Sequence, residues 1–289
     1  MSGRPARSGR IRELGRFLEI QNVGLNLPFA VAFLLIAAVG LPPWEPFLLV
    51  VVAFLAARNA GHAFNRWADR DLDAANPRTA DRALPAGRLS GRFALAVTAA
   101  SGAVLLIAAG LLNRLALELA PVALGLVLGY SYSRRLGAAT TVYLGLVEAI
   151  TPAAAFVALR GSLPLTAGLA VAAILAWGTA FETVHSLGDL ASDRRLGLRS
   201  LATSLGERRA RRLVVVLHAT SLALLAAFGL AEHLRLPYQL GIAAIAVGVA
   251  AGDRGLLAGA PPATVFRRHF ALATVFLAAT ACAVFLPWP

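Results

Sequence analysis

The sequence predicts an all-α polytopic membrane protein, a bundle of nine transmembrane helices around a central cavity that opens to the cytoplasmic side. Three observations predict it. Of 289 residues 58% are hydrophobic and 15% charged, with a mean hydropathy of +0.70, whereas a soluble domain carries about 25% charged residues. The apolar residues come in long unbroken runs, and about 20 of them in a helix cross a bilayer. The arginines fall almost entirely in alternate loops. A bundle of spans is one folding unit, so residues 1–289 read as a single domain, with 1–16 as a basic cytoplasmic tail.

The first run is Leu25–Leu41. The basic stretch before it, Arg4 to Arg16, has the charge of a signal-peptide start. The run is long and no small-residue cleavage site follows, so it reads as a retained span. Leu41-Pro42-Pro43 ends it, and Phe47–Phe64 is the second run. The third and fourth are Phe93–Leu112 and Leu115–Tyr132, and the fifth is Thr140–Leu159. A Gly161-Ser162 turn leads to the sixth, Leu165–Leu187, and Leu213–Leu230 is the seventh. Leu236-Pro237 precedes the eighth, Leu240–Ala251, which is short and contains glycine. Pro261-Pro262 precedes the ninth, Phe270–Leu286, where the single cysteine, Cys282, has no intrachain partner and reads as packing filler.

Every Lys/Arg position is arginine, 27 in all, giving a net charge of +12 and a pI near 11.5. In a soluble chain that would suggest nucleic acid. Here the arginines sit in short loops between apolar runs, so they set topology and no nucleic-acid partner is expected. With the N-terminus inside, 23 arginines fall on the cytoplasmic side, against Arg114, Arg160 and Arg235 outside and Arg58 within a span. The loops after the second and sixth runs are the longest and hold nearly all the acids, which places function there.

The second run leaves the membrane through Arg58, His62, Asn65, Asp69 and Asp73, at steps of 4, 7, 11 and 15 from Arg58. At about 100° per residue these side chains share an arc of about 80° on one helix face. Asp71 points elsewhere, into solvent. The sixth run repeats the device: Glu182, His185, Asp189 and Asp193 lie at steps of 0, 3, 7 and 11. Carboxylates four apart are about 6 Å apart, close enough to share a divalent ion. Two such pairs across a cavity would surround a diphosphate with Mg²⁺, which takes oxygen ligands and keeps water and phosphate in its shell. Arg58, Glu182 and Glu148 lie at membrane depth, where charge is costly and marks function, although Glu148 would equally suit a hydrogen bond between helices.

After the first cluster, Asn76-Pro77-Arg78-Thr79-Ala80-Asp81-Arg82-Ala83-Leu84-Pro85-Ala86-Gly87 supplies guanidiniums suited to phosphate oxygens. After the fourth run, Tyr130 and Arg134 share a face at a spacing of four, and Gly197, Ser200 and Gly206 follow the second cluster.

These elements together resemble the UbiA superfamily of intramembrane prenyltransferases, over nearly the whole chain. Asn65-x3-Asp69-x3-Asp73 is similar to that family's first motif and Asp189-x3-Asp193 to its second. Tyr130-x3-Arg134 corresponds to a Tyr-x3-Lys element, with Arg keeping the cation. Ala63-Phe64-Asn65-Arg66 and Arg78-Thr79-Ala80 look most like the 4-hydroxybenzoate and dihydroxynaphthoate branch. The resemblance implies Mg²⁺-dependent transfer of a prenyl group from a polyprenyl diphosphate to an aromatic acceptor in quinone biosynthesis, at the plasma membrane. It implies that Asn65, Asp69, Asp73, Asp189 and Asp193 hold the metal. Tyr130 would act at the reacting bond, and Arg58, His62, Arg78, Arg82 and Arg134 would bind substrate. Arg58 would orient an acidic acceptor, and His62 or a carboxylate would take its proton. Two alternatives stay open: transfer to a lipid or tetrapyrrole acceptor, and, from another class, a cation transporter. The transporter requires a polar route to the far side, but the outer halves of the spans read as apolar.

Overall fold

The computed structural model describes residues 7–20, 23–77, 79–133, 136–195 and 197–286, without the side chains of 7–11, 24–26, 266, 267 and 270. Among the described residues every regular element is helical. In chain order these are α1 (Arg7–Phe17), α2 (Val23–Ala38), α3 (Trp44–Ala68), α4 (Arg70–Ala75), α5 (Gly91–Leu112), α6 (Arg114–Ser133) and α7 (Ala139–Glu148). They continue as α8 (Ile150–Arg160), α9 (Ala167–Gly188), α10 (Leu190–Arg195), α11 (Leu201–Leu205), α12 (Glu207–Ala231), α13 (Leu236–Leu257) and α14 (Pro262–Phe285). Among the described residues seven segments are long and apolar enough to cross a membrane: α3, α5, α6, the α7–α8 pair, α9, α12 and α13. The shorter apolar helices Leu27–Ala38 and Ala271–Phe285 correspond to the first and ninth runs.

Four departures from the sequence reading have physical causes. The fifth run is not one helix. It breaks at Ala149, because Pro152 has no N–H to donate to the Glu148 carbonyl. The eighth run is longer than its apolar stretch, since Asp253 belongs to α13 and both its oxygens lie on His218 Nδ1 of α12, at 2.9 and 3.1 Å. A carboxylate with a hydrogen-bonding partner can be buried within the helix, so the helix runs past the apolar stretch. The basic N-terminal stretch forms a helix over Arg7–Phe17. It is held by Phe17, buried against Ala63 and Ala94, and by an ion pair between Glu13 and Arg88. Hydrogen bonds to Glu13 and then Asp81 raise the Arg88 pKa. Lastly, both acidic helices bend, as described below.

The main core lies among α2, α8, α9, α12, α13 and α14. Phe33, Phe156 and Phe228 meet edge to face, with ring centroids 6.1 Å apart in both the Phe33–Phe228 and Phe156–Phe228 pairs. Where α7 crosses α9, two glycines allow the backbones to touch: a Cβ on Gly178 would lie 2.8 Å from Gly145 Cα. At the end remote from the acidic clusters, Arg160 donates to the Ala37 carbonyl at 2.9 Å and to Glu232 at 3.0 Å, tying α8 to α2 and α12.

Candidate active site

Between α3, α5, α6, α7, α8 and α9 lies a cavity of about 750 Å³. One end is polar. The first-motif side contributes Asn65, Arg66, Asp73, Asn76, Thr79 and Arg82, and the second-motif side Glu182, His185, Ser186, Asp189, Ser192, Asp193 and Arg199. Tyr130 and Glu148 also line it, with Arg58 and His62 further along α3. The remote end is apolar, lined by Leu112, Ala116, Leu119, Val157 and Ala158.

The first motif is built on a bend. α3 ends at Ala68, and Asp69 takes φ −91° and ψ 3° before α4 begins. Asp69 is therefore not one more step along a straight helix face, which is what the periodicity assumed. Its buried carboxylate accepts from Asn65 Nδ2 at 3.0 Å and does not line the cavity, whereas Asn65 and Asp73 do. Arg82 Nη1 donates to both Asp73 oxygens, at 2.7 and 2.9 Å. Thr79 Oγ1 donates to the Asp73 carbonyl at 3.0 Å, folding the loop back so that Arg82 reaches α4. Asp71 is exposed, as the face argument expected.

The second motif bends in the same way at Asp189, with φ −95° and ψ 3°. Asp189 and Asp193 both line the cavity, and His185 Nδ1 lies 3.8 Å from Asp189. Arg58 donates to the carbonyls of Leu18 at 2.7 Å and Glu19 at 2.6 Å, so it anchors the N-terminal segment as well as lining the cavity. Arg78 and Arg134 lie outside the described residues.

Sequence reasoning did not select Glu19, Arg66, Asn76 or Arg199. Arg66 is buried and ion-paired with Glu19, and both line the cavity. That pair joins residues 47 apart in sequence, so no helical spacing could reveal it. Arg66 also lies one step past Asn65, off the face that periodicity selected.

Among the described residues no three His, Cys, Asp or Glu side chains are close enough to hold a metal by themselves. The donors present are carboxylate and amide oxygens from two walls, without thiolate. They fit a hard divalent ion that takes one or two carboxylates and completes its shell with water and phosphate oxygens. They do not fit a closed protein cage.

Fold and cavity together define an integral membrane protein built around a site for an amphiphilic anion, with an oxygen-rich, arginine-bearing head pocket above an apolar chamber. The chain belongs to the UbiA prenyltransferase family, which it matches over residues 26–271. It is 34% identical to a 4-hydroxybenzoate octaprenyltransferase of Nitrosospira multiformis over 208 residues, 72% of this chain and 71% of that one. It is equally 34% identical to the enzyme of that name from Cupriavidus necator over 210 residues, 73% of each chain. Its fold matches the apo structure of a UbiA homologue from Aeropyrum pernix K1 with a TM-score of 0.77 at 29% identity, covering 92% of this chain and 97% of that one. A UbiA homologue from Archaeoglobus fulgidus bound to GPP and Mg²⁺ shares the fold with a TM-score of 0.72 at 18% identity, covering 95% and 100%.

Proposed function

We propose that this chain transfers a prenyl group from a polyprenyl diphosphate to an aromatic acceptor, 4-hydroxybenzoate-like or hydroxynaphthoate-like, in quinone biosynthesis. The observation that carries the reading is that Asn65 and Asp73 of the first motif and Asp189 and Asp193 of the second line one cavity whose remote end is apolar. The relatives named 4-hydroxybenzoate octaprenyltransferase support the reaction, and the GPP- and Mg²⁺-bound homologue supports the donor and metal. The apolar lining at the remote end favours a transferase over a cation transporter, which needs polar groups along its whole route.

Breaking the allylic C–O bond builds negative charge on the departing diphosphate and positive charge on carbon. When bound, Mg²⁺ supplies charge neutralisation at the departing oxygen. In this proposal Asn65, Asp73, Asp189 and Asp193 would hold it from the cavity walls, and Asp69, the remaining carboxylate of the first motif, would serve the metal through the Asn65 amide that it fixes from behind. Arg82 uses one nitrogen on Asp73 and has Nε and Nη2 left for phosphate oxygens; Arg78 and Arg134 have the same role. Tyr130 turns its ring or hydroxyl to the allylic centre. The apolar chamber excludes water that would quench the cation. About 750 Å³ is the size of a site for a compact ligand, so a long tail continues into lipid. Arg58 orients the acceptor's acidic group, and His62 or a carboxylate takes its proton.

Residues 1–289 act as a single domain in the plasma membrane. The N-terminus and both motifs face the cytoplasm, on the side that carries 23 of the 27 arginines. The test is purified protein in nanodiscs with one labelled polyprenyl diphosphate, Mg²⁺ and a panel of phenolic acids, with products identified by mass. Prenylated hydroxybenzoate or hydroxynaphthoate that disappears with EDTA is expected. Product formed only with a lipid or tetrapyrrole acceptor overturns the assignment.

A further inference from the structure

Four described arginines line the cavity: Arg58, Arg66, Arg82 and Arg199. Three of them already hold protein groups with part of their donors. Arg58 holds the Leu18 and Glu19 carbonyls, Arg66 holds Glu19, and Arg82 holds Asp73. Among the described residues Arg199 makes no hydrogen bond or ion pair, although the backbone beneath it is closely fixed.

That fixing is specific. Gly197 takes φ +66°, a conformation costly for residues with a Cβ, and lets the chain reverse after α10. The Leu198 N–H then donates to the Asp193 carbonyl at 2.9 Å. Ser200 caps α11, with the Thr203 N–H on its Oγ at 3.2 Å and its own N–H on Thr203 Oγ1 at 2.7 Å. The Leu201 N–H donates to Thr141 Oγ1 of α7 at 3.2 Å. Arg199 is thus held between a turn bonded to Asp193 and a capped helix bonded to α7. Its stem lies along Gly137 of the α6–α7 turn, where an added Cβ would be 3.7 Å from Arg199 Cβ and Cδ.

We infer that Arg199 is a further ligand of the donor's phosphate oxygens, gripping them from the second-motif wall opposite in sequence to Arg82 on the first. The inference rests on the prenyl-diphosphate reading of the cavity. Its physical basis is charge and geometry. The second wall presents Asp189 and Asp193, which repel an incoming diphosphate unless a cation stands among them. A guanidinium with its planar donors uncommitted suits phosphate oxygens in bidentate contact. A backbone this constrained spends little entropy in presenting it. The same chemistry would accept the headgroup phosphate of a lipid, so the experiment separates the two sources.

The test uses full-length protein in phosphatidylcholine nanodiscs with Mg²⁺. It compares wild type, Arg199→Gln and Arg199→Lys, with Asp193→Asn as the reference for the metal wall. Arg199→Gln is expected to weaken inorganic pyrophosphate binding about 10- to 100-fold, the worth of a charged hydrogen bond. It should raise KM for the prenyl diphosphate and leave KM for the acceptor unchanged. Arg199→Lys should recover part of the loss, which a purely structural role would not do. Unchanged pyrophosphate binding in Arg199→Gln, with loss in Asp193→Asn, overturns the inference and leaves the cavity reading standing. No change in either variant brings down both. Phosphatidylglycerol that competes with pyrophosphate in wild type but not in Arg199→Gln, while pyrophosphate affinity alone is equal in both, assigns Arg199 to lipid and overturns the inference. Arg199→Met, a second neutral variant, is read the same way if Arg199→Gln does not fold.

Discussion

Asp69 and Asp189 occupy the same bend in two different helices. Their backbone angles agree within a few degrees, at φ −91° and −95° with ψ 3° in both. Each donates its N–H to the carbonyl four residues back, Asn65 at 2.9 Å and His185 at 3.2 Å. Each accepts from the residue four ahead, Asp73 at 2.8 Å and Asp193 at 2.9 Å. Their side chains then differ: Asp189 lines the cavity, while Asp69 is buried against Asn65. Asn65 and Asp69 therefore act as one unit. Each Ala substitution alone should lower kcat/KM and raise the Mg²⁺ concentration needed for half-maximal rate. The double substitution should cost little more than either, with a coupling of about 1–3 kcal/mol. Strictly additive losses in a double-mutant cycle would show independent roles.

Asp73 and Arg82 form the one fully described ion pair between the acidic motif and its arginine-rich loop. Asp73→Asn keeps a carbonyl for Arg82 and removes the negative charge. Prenyl transfer should fall about 100- to 1000-fold while the melting temperature moves little. Arg82→Ala instead leaves Asp73, only 6% exposed, without that partner. It should lower the melting temperature as well as activity, because an uncompensated buried charge is the costly outcome. Thermal unfolding followed beside initial rates separates the two.

The contact of α7 with α9 depends on the absence of side chains. A Cβ on Gly145 would come to 2.5 Å from the Leu175 carbonyl oxygen and 2.9 Å from the Thr179 nitrogen, both backbone atoms that cannot swing aside. Gly145→Ala should destabilise the protein by about 1–3 kcal/mol through overpacking. It should also reduce activity, since Thr140, Leu144 and Glu148 of α7 line the cavity. A detergent melting curve unchanged by Gly145→Ala would refute the close contact.

Much of this was legible in the sequence because bilayers impose a strong code. Apolar runs and arginine asymmetry yielded the order of the helices, and four-residue spacing brought Asn65, Asp73, Asp189 and Asp193 together. Periodicity failed where the backbone departs from a straight helix. It could not see the bends at Asp69 and Asp189, nor the break at Ala149, although Pro152 was a readable cause. It also could not see partners distant in sequence. Asp253 fell outside the apolar run that ended at Ala251, and its partner His218, 35 residues earlier, could not be read from spacing. Glu19 was invisible because its partner Arg66 stands on the helix face that the motif does not use.

Arg58 joins two tasks that one substitution can separate. Its Nη1 and Nη2 hold the Leu18 and Glu19 carbonyls, and the same group lines the cavity beside His62. If it also grips the acceptor's carboxylate, Arg58→Leu should raise KM for 4-hydroxybenzoate about 10- to 100-fold. KM for the prenyl diphosphate should stay within about threefold of wild type, allowing for the context dependence of single contacts. A phenol of similar size without the carboxylate should be used by wild type and variant with nearly equal kcat/KM, because the lost interaction was never available to it. Loss of the N-terminal anchor alone would instead depress both acceptors together. Rates with the two acceptors on the same protein preparation therefore decide whether the guanidinium reads the acceptor or only secures the chain around it.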